Sequence, residues 1–246
     1  MLSALIISLR EGLEAALIVG IVLSCLRQFD NKVSVRYVWI GVSGAVAASF
    51  ALAIGIQSVG AELEGKSEAI FEGITMILAA GMLIWMIFWM RSHAKTLKSE
   101  IARNLSSASI GHHFWGIAGV TFLAVFREGV ETALFLSAAS FTSNALATWT
   151  GAAIGLGLAA LGGYLIFTSA LRFNLRVFFN ITSIILLVFA GIMLVSGIHE
   201  LEEAGIVNAL LSNEMLEQVL LYVLYGAVIL GGLRWWERRQ IQLPSD

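Results

Sequence analysis

Charge is scarce in this chain of 246 residues. Asp, Glu, Lys and Arg make up 13% of it, about half the share usual in a soluble domain. A water-facing globule is therefore excluded. With 58% of its residues hydrophobic, the chain reads as an integral membrane protein, its apolar surface covered by lipid and neighbouring helices. Cysteine is nearly absent. The single Cys25 rules out an intramolecular disulfide and any Cys-built metal cluster within one chain. The one proline, Pro244, lies near the C-terminus, so the apolar runs are not broken by it. The first run also lacks a basic leader and a small-residue cleavage site, which argues for a retained helix over a signal peptide. With a net charge of −2, nucleic acid is not an expected partner.

Long apolar runs are what the chain has instead. A helix needs about 20 apolar residues to cross the hydrocarbon layer. Segments 3–26, 37–60, 69–90, 114–138, 148–170, 177–198 and 215–235 meet that length. The expectation is a single all-α membrane domain over 1–246, with seven transmembrane helices and the termini on opposite sides. Basic residues decide the sides. Twelve of the 15 Lys and Arg fall on one side, including Arg27, Lys32, Arg36, Lys95, Lys98 and Arg239, while Lys66 alone falls on the other. This places the C-terminus in the cytoplasm and the N-terminus outside the cell (plasma or inner) membrane. The outer side is acidic, with Glu62, Glu64, Glu68, Glu200, Glu202, Glu203, Glu214 and Glu217, and Glu72 one turn into the third span. Together these carboxylates attract cations to the outer mouth.

The two basic residues left over, Arg10 and Arg127, lie inside spans. Each opens the same motif. Arg10-Glu11-Gly12-Leu13-Glu14 in span one matches Arg127-Glu128-Gly129-Val130-Glu131 in span four, at a constant offset of 117 residues. A weaker echo links Ala80-Gly81 with Ala190-Gly191. The chain thus reads as two three-helix repeats, 1–90 and 114–198, followed by a seventh helix. Three is odd, so the second repeat enters from the opposite side. Such inverted repeats place transporter sites near the midplane.

Spacing gives the chemistry. Residues three or four apart share a helix face, so Glu11 and Glu14 project together, as do Glu128 and Glu131. Gly12 and Gly129 stand between the carboxylates, where a missing side chain admits a neighbouring helix or an ion. A charge at the bilayer centre costs at least about 2.5–3.5 kcal/mol. Six such residues must therefore face the bundle interior. Four glutamates against two arginines leave a formal deficit of two positive charges, which a divalent or trivalent cation would cancel. An all-oxygen, carboxylate-rich site suits hard cations. Two ion-pair networks that merely pin spans one and four would not explain the excess of acid.

Two copies of Arg-Glu-Gly-x-Glu, in spans one and four of a seven-span chain, resemble the oxidase-dependent iron permeases. That family includes the fungal high-affinity iron permease and the bacterial iron-uptake permeases. The stretch Gly197–Gly205, GIHELEEAG, also looks like the family's segment after span six. The resemblance implies iron movement into the cytoplasm, with Glu11, Glu14, Glu128 and Glu131 as metal ligands. Arg10 and Arg127 would orient them. Iron would be the transported substrate, with no permanently bound cofactor. It further implies an extracytoplasmic oxidase, peroxidase or iron-binding protein as partner, beside membrane lipid. Some bacterial members carry a long extracytoplasmic N-terminal domain; this chain lacks one and looks like the short form. Rival readings are a permease for another cation such as manganese or lead, an intramembrane di-iron enzyme, and a structural membrane subunit. Against the enzyme, neither motif contains the histidine that di-iron bundles use.

Weaker signals are weighed against bland readings. Glu68 and Glu72, at i and i+4, and His199, Glu200 and Glu203 are candidate access residues, with a solvated helix end as the alternative. Gly60–Ser67 fits the phosphate-loop pattern G-x-x-x-x-G-K-[ST], but no strand precedes it and Glu62 and Glu64 would repel phosphate. Gly151 and Gly155 read as a close helix contact. His112 and His113 read as a polar interface, and Trp85, Trp89, Trp235 and Trp236 as interfacial anchors.

Overall fold

The computed structural model describes residues 1–27, 32–93, 114–168 and 175–206. Every element among them is an α-helix: α1 (Leu2–Arg27), α2 (Lys32–Glu62), α3 (Lys66–His93), α4 (Phe114–Phe141), α5 (Ala145–Phe167) and α6 (Leu175–Glu203). In lipid each backbone N–H and C=O must be satisfied within its own segment, which leaves a long apolar run little choice but the helix. Four helices, α2, α3, α5 and α6, are long and apolar enough to cross a membrane. Helices α1 and α4, with 26 and 28 residues, are equally long and carry the motif charges instead.

The six expected spans in this region each coincide with a helix, and most helices run further. Helix α6 continues five residues beyond the expected end at 198, so His199, Glu200 and Glu203 ride on its last turns. Hydropathy marks where hydrocarbon begins; backbone hydrogen bonding carries the helix past that level. At its far end α5 stops at Phe167, short of the expected 170, with Thr168 as its C-cap. Its start at Ala145 is fixed by Asn144, whose side chain accepts hydrogen bonds from the Leu146 and Ala147 N–H groups at 2.9 and 3.4 Å. This satisfies two of the donors a helix start leaves orphaned. The seventh expected helix, 215–235, lies outside the described residues, as do His112, His113, Trp235 and Trp236.

Two glycines set the turns at one end of the bundle. Gly65, at φ +60, turns the chain between α2 and α3. Gly205, at φ +71, ends α6 with hydrogen bonds from Gly205 N to the Glu202 carbonyl and from Ile206 N to the Leu201 carbonyl. That pair of bonds is the Schellman arrangement, for which glycine is suited because it lacks a Cβ.

Packing between helices is reciprocal. Helix α1 lies mainly on α5, α2 on α4, and α3 on α6, while α1 and α4 meet directly. Small residues let backbones touch. A Cβ on Gly41 of α2 would stand 2.5 Å from the Ala118 carbonyl oxygen of α4. A Cβ on Gly151 of α5 would stand 2.5 Å from the Met1 carbonyl oxygen, and on Gly155 2.5 Å from that of Leu5 in α1. Gly151-x-x-x-Gly155 is thus a helix contact, as expected. Gly73 and Gly197 meet in the same way between α3 and α6. The main core, which includes Ile6, Ile7, Met76, Phe135 and Met193, joins α1, α3, α4 and α6. A second cluster, Val22, Leu26, Val38 and Ile117, closes the Arg27 end of α1 against α2 and α4.

Candidate metal centre

Both motifs fall near the middle of the crossing pair α1 and α4. Within each, the geometry repeats. Arg10 Nε lies 3.1 Å from Glu14 Oε1, and Arg127 Nε lies 3.0 Å from Glu131 Oε1. Arg10 Nη1 is 3.9 Å from Glu11 Oε1, and Arg127 Nε is 3.8 Å from Glu128 Oε1. The i to i+4 pair is a close contact and the i to i+1 pair a loose one, as helical spacing dictates.

Three of the four glutamates converge. Glu11, Glu128 and Glu131 are all buried, and each offers a carboxylate oxygen within 4.8 Å of the other two. Glu14 is not part of that group; it stays with Arg10. Both oxygens of Glu11, Glu128 Oε2 and Glu131 Oε2 are buried without a hydrogen-bond partner. Oxygens left in that state are costly unless a cation or proton answers them. Donor chemistry is uniform: carboxylate oxygens only, from two helices, with no nitrogen or sulfur in the group. Such a set fits a hard or borderline cation.

The glycines between the carboxylates serve helix approach. A Cβ on Gly12 would stand 2.6 Å from Ala159 Cβ of α5, and one on Gly129 would stand 1.9 Å from Ser49 Oγ of α2. Gly12 therefore receives α5, and Gly129 receives α2. Ser49 Oγ donates to the Ala45 carbonyl at 2.8 Å. Thr132, one turn beyond Glu128, donates to the Glu128 carbonyl at 2.8 Å. Both residues border a largely apolar cavity of about 230 Å³ between α1, α2, α4 and α5, which Glu11 and Glu128 also border. Ser49 and Thr132 were not foreseen. Ser49 carries no motif, and only the contact with Gly129 reveals it.

A second, polar cavity of about 430 Å³ opens at the bundle end that carries Leu2, Glu62 and Glu203. Gly65, Lys66, Glu68, Ala69, Glu72, Glu200 and Glu203 line it. Four of the five candidate access residues thus share one space, brought together by the start of α3 and the end of α6. His199 is the exception. It lies outside the lining, exposed, with Nε2 3.4 Å from Glu203 Oε1 and Nδ1 3.9 Å from Glu202 Oε2. The phosphate-loop lookalike Gly60–Ser67 is the α2–α3 junction, preceded by a helix.

Known proteins resemble this chain over most of its length. The Iron permease FTR1 family matches residues 1–225. The ferrous iron permease EfeU of Escherichia coli strain UTI89 is 37% identical over 205 residues, covering 82% of this chain and 74% of that protein. EfeU of Yersinia pestis is 34% identical over 205 residues, covering 82% and 73%. An uncharacterized protein of Archaeoglobus fulgidus is 36% identical over 212 residues, covering 83% and 73%. No solved structure matches the chain. With nearly its whole length matched, and an all-helical bundle built on apolar helices, the chain is a multi-pass membrane protein that belongs to the Iron permease FTR1 family.

Proposed function

We propose that this protein moves iron across the membrane into the cytoplasm, and that Glu11, Glu128 and Glu131 form the transit site. The carrying observation is the convergence of three buried carboxylates from two helices within 4.8 Å. Two of the relatives above are named ferrous iron permeases, the family is one of iron permeases, and the chain is a transporter rather than an enzyme. Arg10 and Arg127 hold Glu14 and Glu131 in place and limit the charge. Glu14 acts as a reserve ligand, exchanging Arg10 for the ion as the ion moves.

The reciprocal contacts support the inverted three-plus-three repeat. Gly12 meets Ala159 as Gly129 meets Ser49, and Gly151 meets Met1 as Gly41 meets Ala118. A seventh helix over 215–235 completes the proposed topology. The acidic cavity supports an outer face at the Leu2 end, where cations gather before descending to the motifs. An extracytoplasmic oxidase, peroxidase or iron-binding protein would present iron there.

Metal-dependent uptake into proteoliposomes tests the assignment. Glu11→Gln, Glu128→Gln and Glu131→Gln keep side-chain shape and remove one charge. Each should lower uptake by about tenfold or more, equivalent to at least about 1.4 kcal/mol of ion binding. Glu14→Gln should cost less. Wild-type uptake in both Glu11→Gln and Glu128→Gln, with normal membrane levels, would sink the site. Stronger competition from Mn²⁺ or Pb²⁺ than from iron would move the substrate to another cation.

A further inference from the structure

The two sides of the α1–α4 crossing are closed differently. On one side α3 and α6 pack on each other, with Gly73 against Gly197. On the other, α2 lies on α4 and α5 on α1, but α2 and α5 hardly touch each other. The apolar cavity of about 230 Å³ occupies the gap they leave, at the depth of the motifs. Val46 and Phe50 of α2 and Ala153 and Leu156 of α5 border it, and all four are exposed. They make its mouth, on the lateral surface of the bundle. Ala53, Ala133 and Leu136 border the cavity at its buried end, at 7%, 4% and 3% exposure.

Nothing in the described lining suits water or a hydrated ion. The Ser49 and Thr132 hydroxyls donate to carbonyls of their own helices, each at 2.8 Å. Both Glu11 oxygens and Glu128 Oε2 are enclosed, which leaves the cavity surface almost wholly apolar. A buried water needs about two to four polar partners, whereas an apolar cavity of about 150 Å³ stays dry and takes benzene. This cavity is larger, and it opens between the two least covered spans. Of their most apolar stretches, 17% in α2 and 22% in α5 is buried, against 39% in α3 and in α6. In a bilayer such faces meet hydrocarbon, where no water competes for the space. We propose that an acyl chain of a bilayer lipid enters between α2 and α5 and lies in this cavity beside the motifs. The chain walls that side of the crossing against water, so a hydrated ion approaches the carboxylates from another direction. It also keeps α2 and α5 apart. The lipid site goes beyond the transport reading and does not depend on the identity of the cargo.

Photolabelling of the full wild-type chain in lipid vesicles tests it. The probe is a phosphatidylglycerol with a diazirine at the middle of one acyl chain, and mass spectrometry locates the adducts. Lipid around the bundle reaches exposed residues such as Leu158 and Ile185. A chain inside the cavity also marks Ala53, Ala133 and Leu136, and adducts on these buried residues are the expected result. Ala153→Trp and Val46→Trp, made separately at the exposed mouth, should each fill part of the space. Either should cut the buried adducts several-fold while sparing those at Leu158. Adducts confined to exposed residues in the wild type would overturn the proposal in favour of a protein occupant, a second copy or segment 215–235. Buried adducts undiminished in both Trp variants would overturn it as well, because the label would then enter elsewhere. Labelling needs no iron, so the expected adducts in a chain that fails to take up iron would remove the transport reading alone.

Discussion

Arg10 and Arg127 hold their i+4 glutamates at nearly the same distance, yet one is enclosed and the other half-open. Removing a partner from an enclosed ion pair leaves an uncompensated buried charge, at a cost of about 3–5 kcal/mol. Arg127 also faces buried partners, Glu128 and Glu131, but less of its own guanidinium is enclosed. Arg10→Ala should therefore lower the melting temperature of the detergent-purified protein more than Arg127→Ala. Equal losses would show that the difference in burial does not carry through to stability. The residue types at this site were legible in the sequence, because six charges in two apolar runs demand an explanation. Which carboxylates meet was not. Helical spacing treats Glu14 and Glu131 alike; only the crossing of α1 over α4 brings Glu131 to Glu11 and Glu128 while Glu14 stays with Arg10. Ser49 was out of reach for a similar reason. A serine in an apolar helix says nothing about which helix it faces.

Between elements, glycine governs how close the helices come, and the neighbouring atom decides what a methyl group would do. Gly129→Ala meets the Ser49 side chain, so Ser49→Gly should relieve it. Gly41→Ala and Gly155→Ala meet backbone oxygens of α4 and α1, which no substitution can remove. Both should destabilise by about 1–3 kcal/mol as overpacking. Gly81→Ala meets nothing within 4 Å and should gain up to about 1 kcal/mol of helix propensity. Thermal unfolding of the four variants, with the Gly129→Ala, Ser49→Gly double variant beside them, checks this ordering. A double variant no more stable than Gly129→Ala would place the strain elsewhere. The helices themselves were legible from length and hydropathy. Their ends were not, since polar residues such as Glu62 and Glu203 stay helical beyond the hydrocarbon. The pairing of α1 with α5 and of α2 with α4 also escaped the sequence, because GxxxG spacing announces a close contact without naming its partner.

Over the whole molecule, charge is arranged along the bundle axis, with carboxylates in a cavity at one end and a second set near the middle. In the proposed function the first set concentrates cations by its field and the second binds them. Neutralising Glu68, Glu72, Glu200 and Glu203 together as Gln should therefore raise the KM for iron several-fold while leaving the maximal rate nearly unchanged. The effect should shrink as salt rises from about 0.01 to 0.15 M, where the screening length falls from about 30 to 8 Å. A loss of maximal rate with KM unchanged would instead place these residues on the rate-limiting path. The sequence named these carboxylates as candidate access residues in two groups, Glu68 with Glu72 and His199 with Glu200 and Glu203. Their assembly into one cavity follows from the packing of α3 on α6, where Gly73 and Gly197 meet and the start of one helix lies beside the end of the other.

A site divided between α1 and α4 also ties assembly to the order of synthesis. The first motif emerges with two carboxylates and one guanidinium, Arg10, to answer them. The rest of its company lies 117 residues downstream. At about 5–20 residues per second, translation delivers it roughly 6–23 s later. For that interval α1 is an unfinished half, best kept near the insertion machinery or at the membrane surface. Full burial of α1 therefore waits for α4 in the order of synthesis.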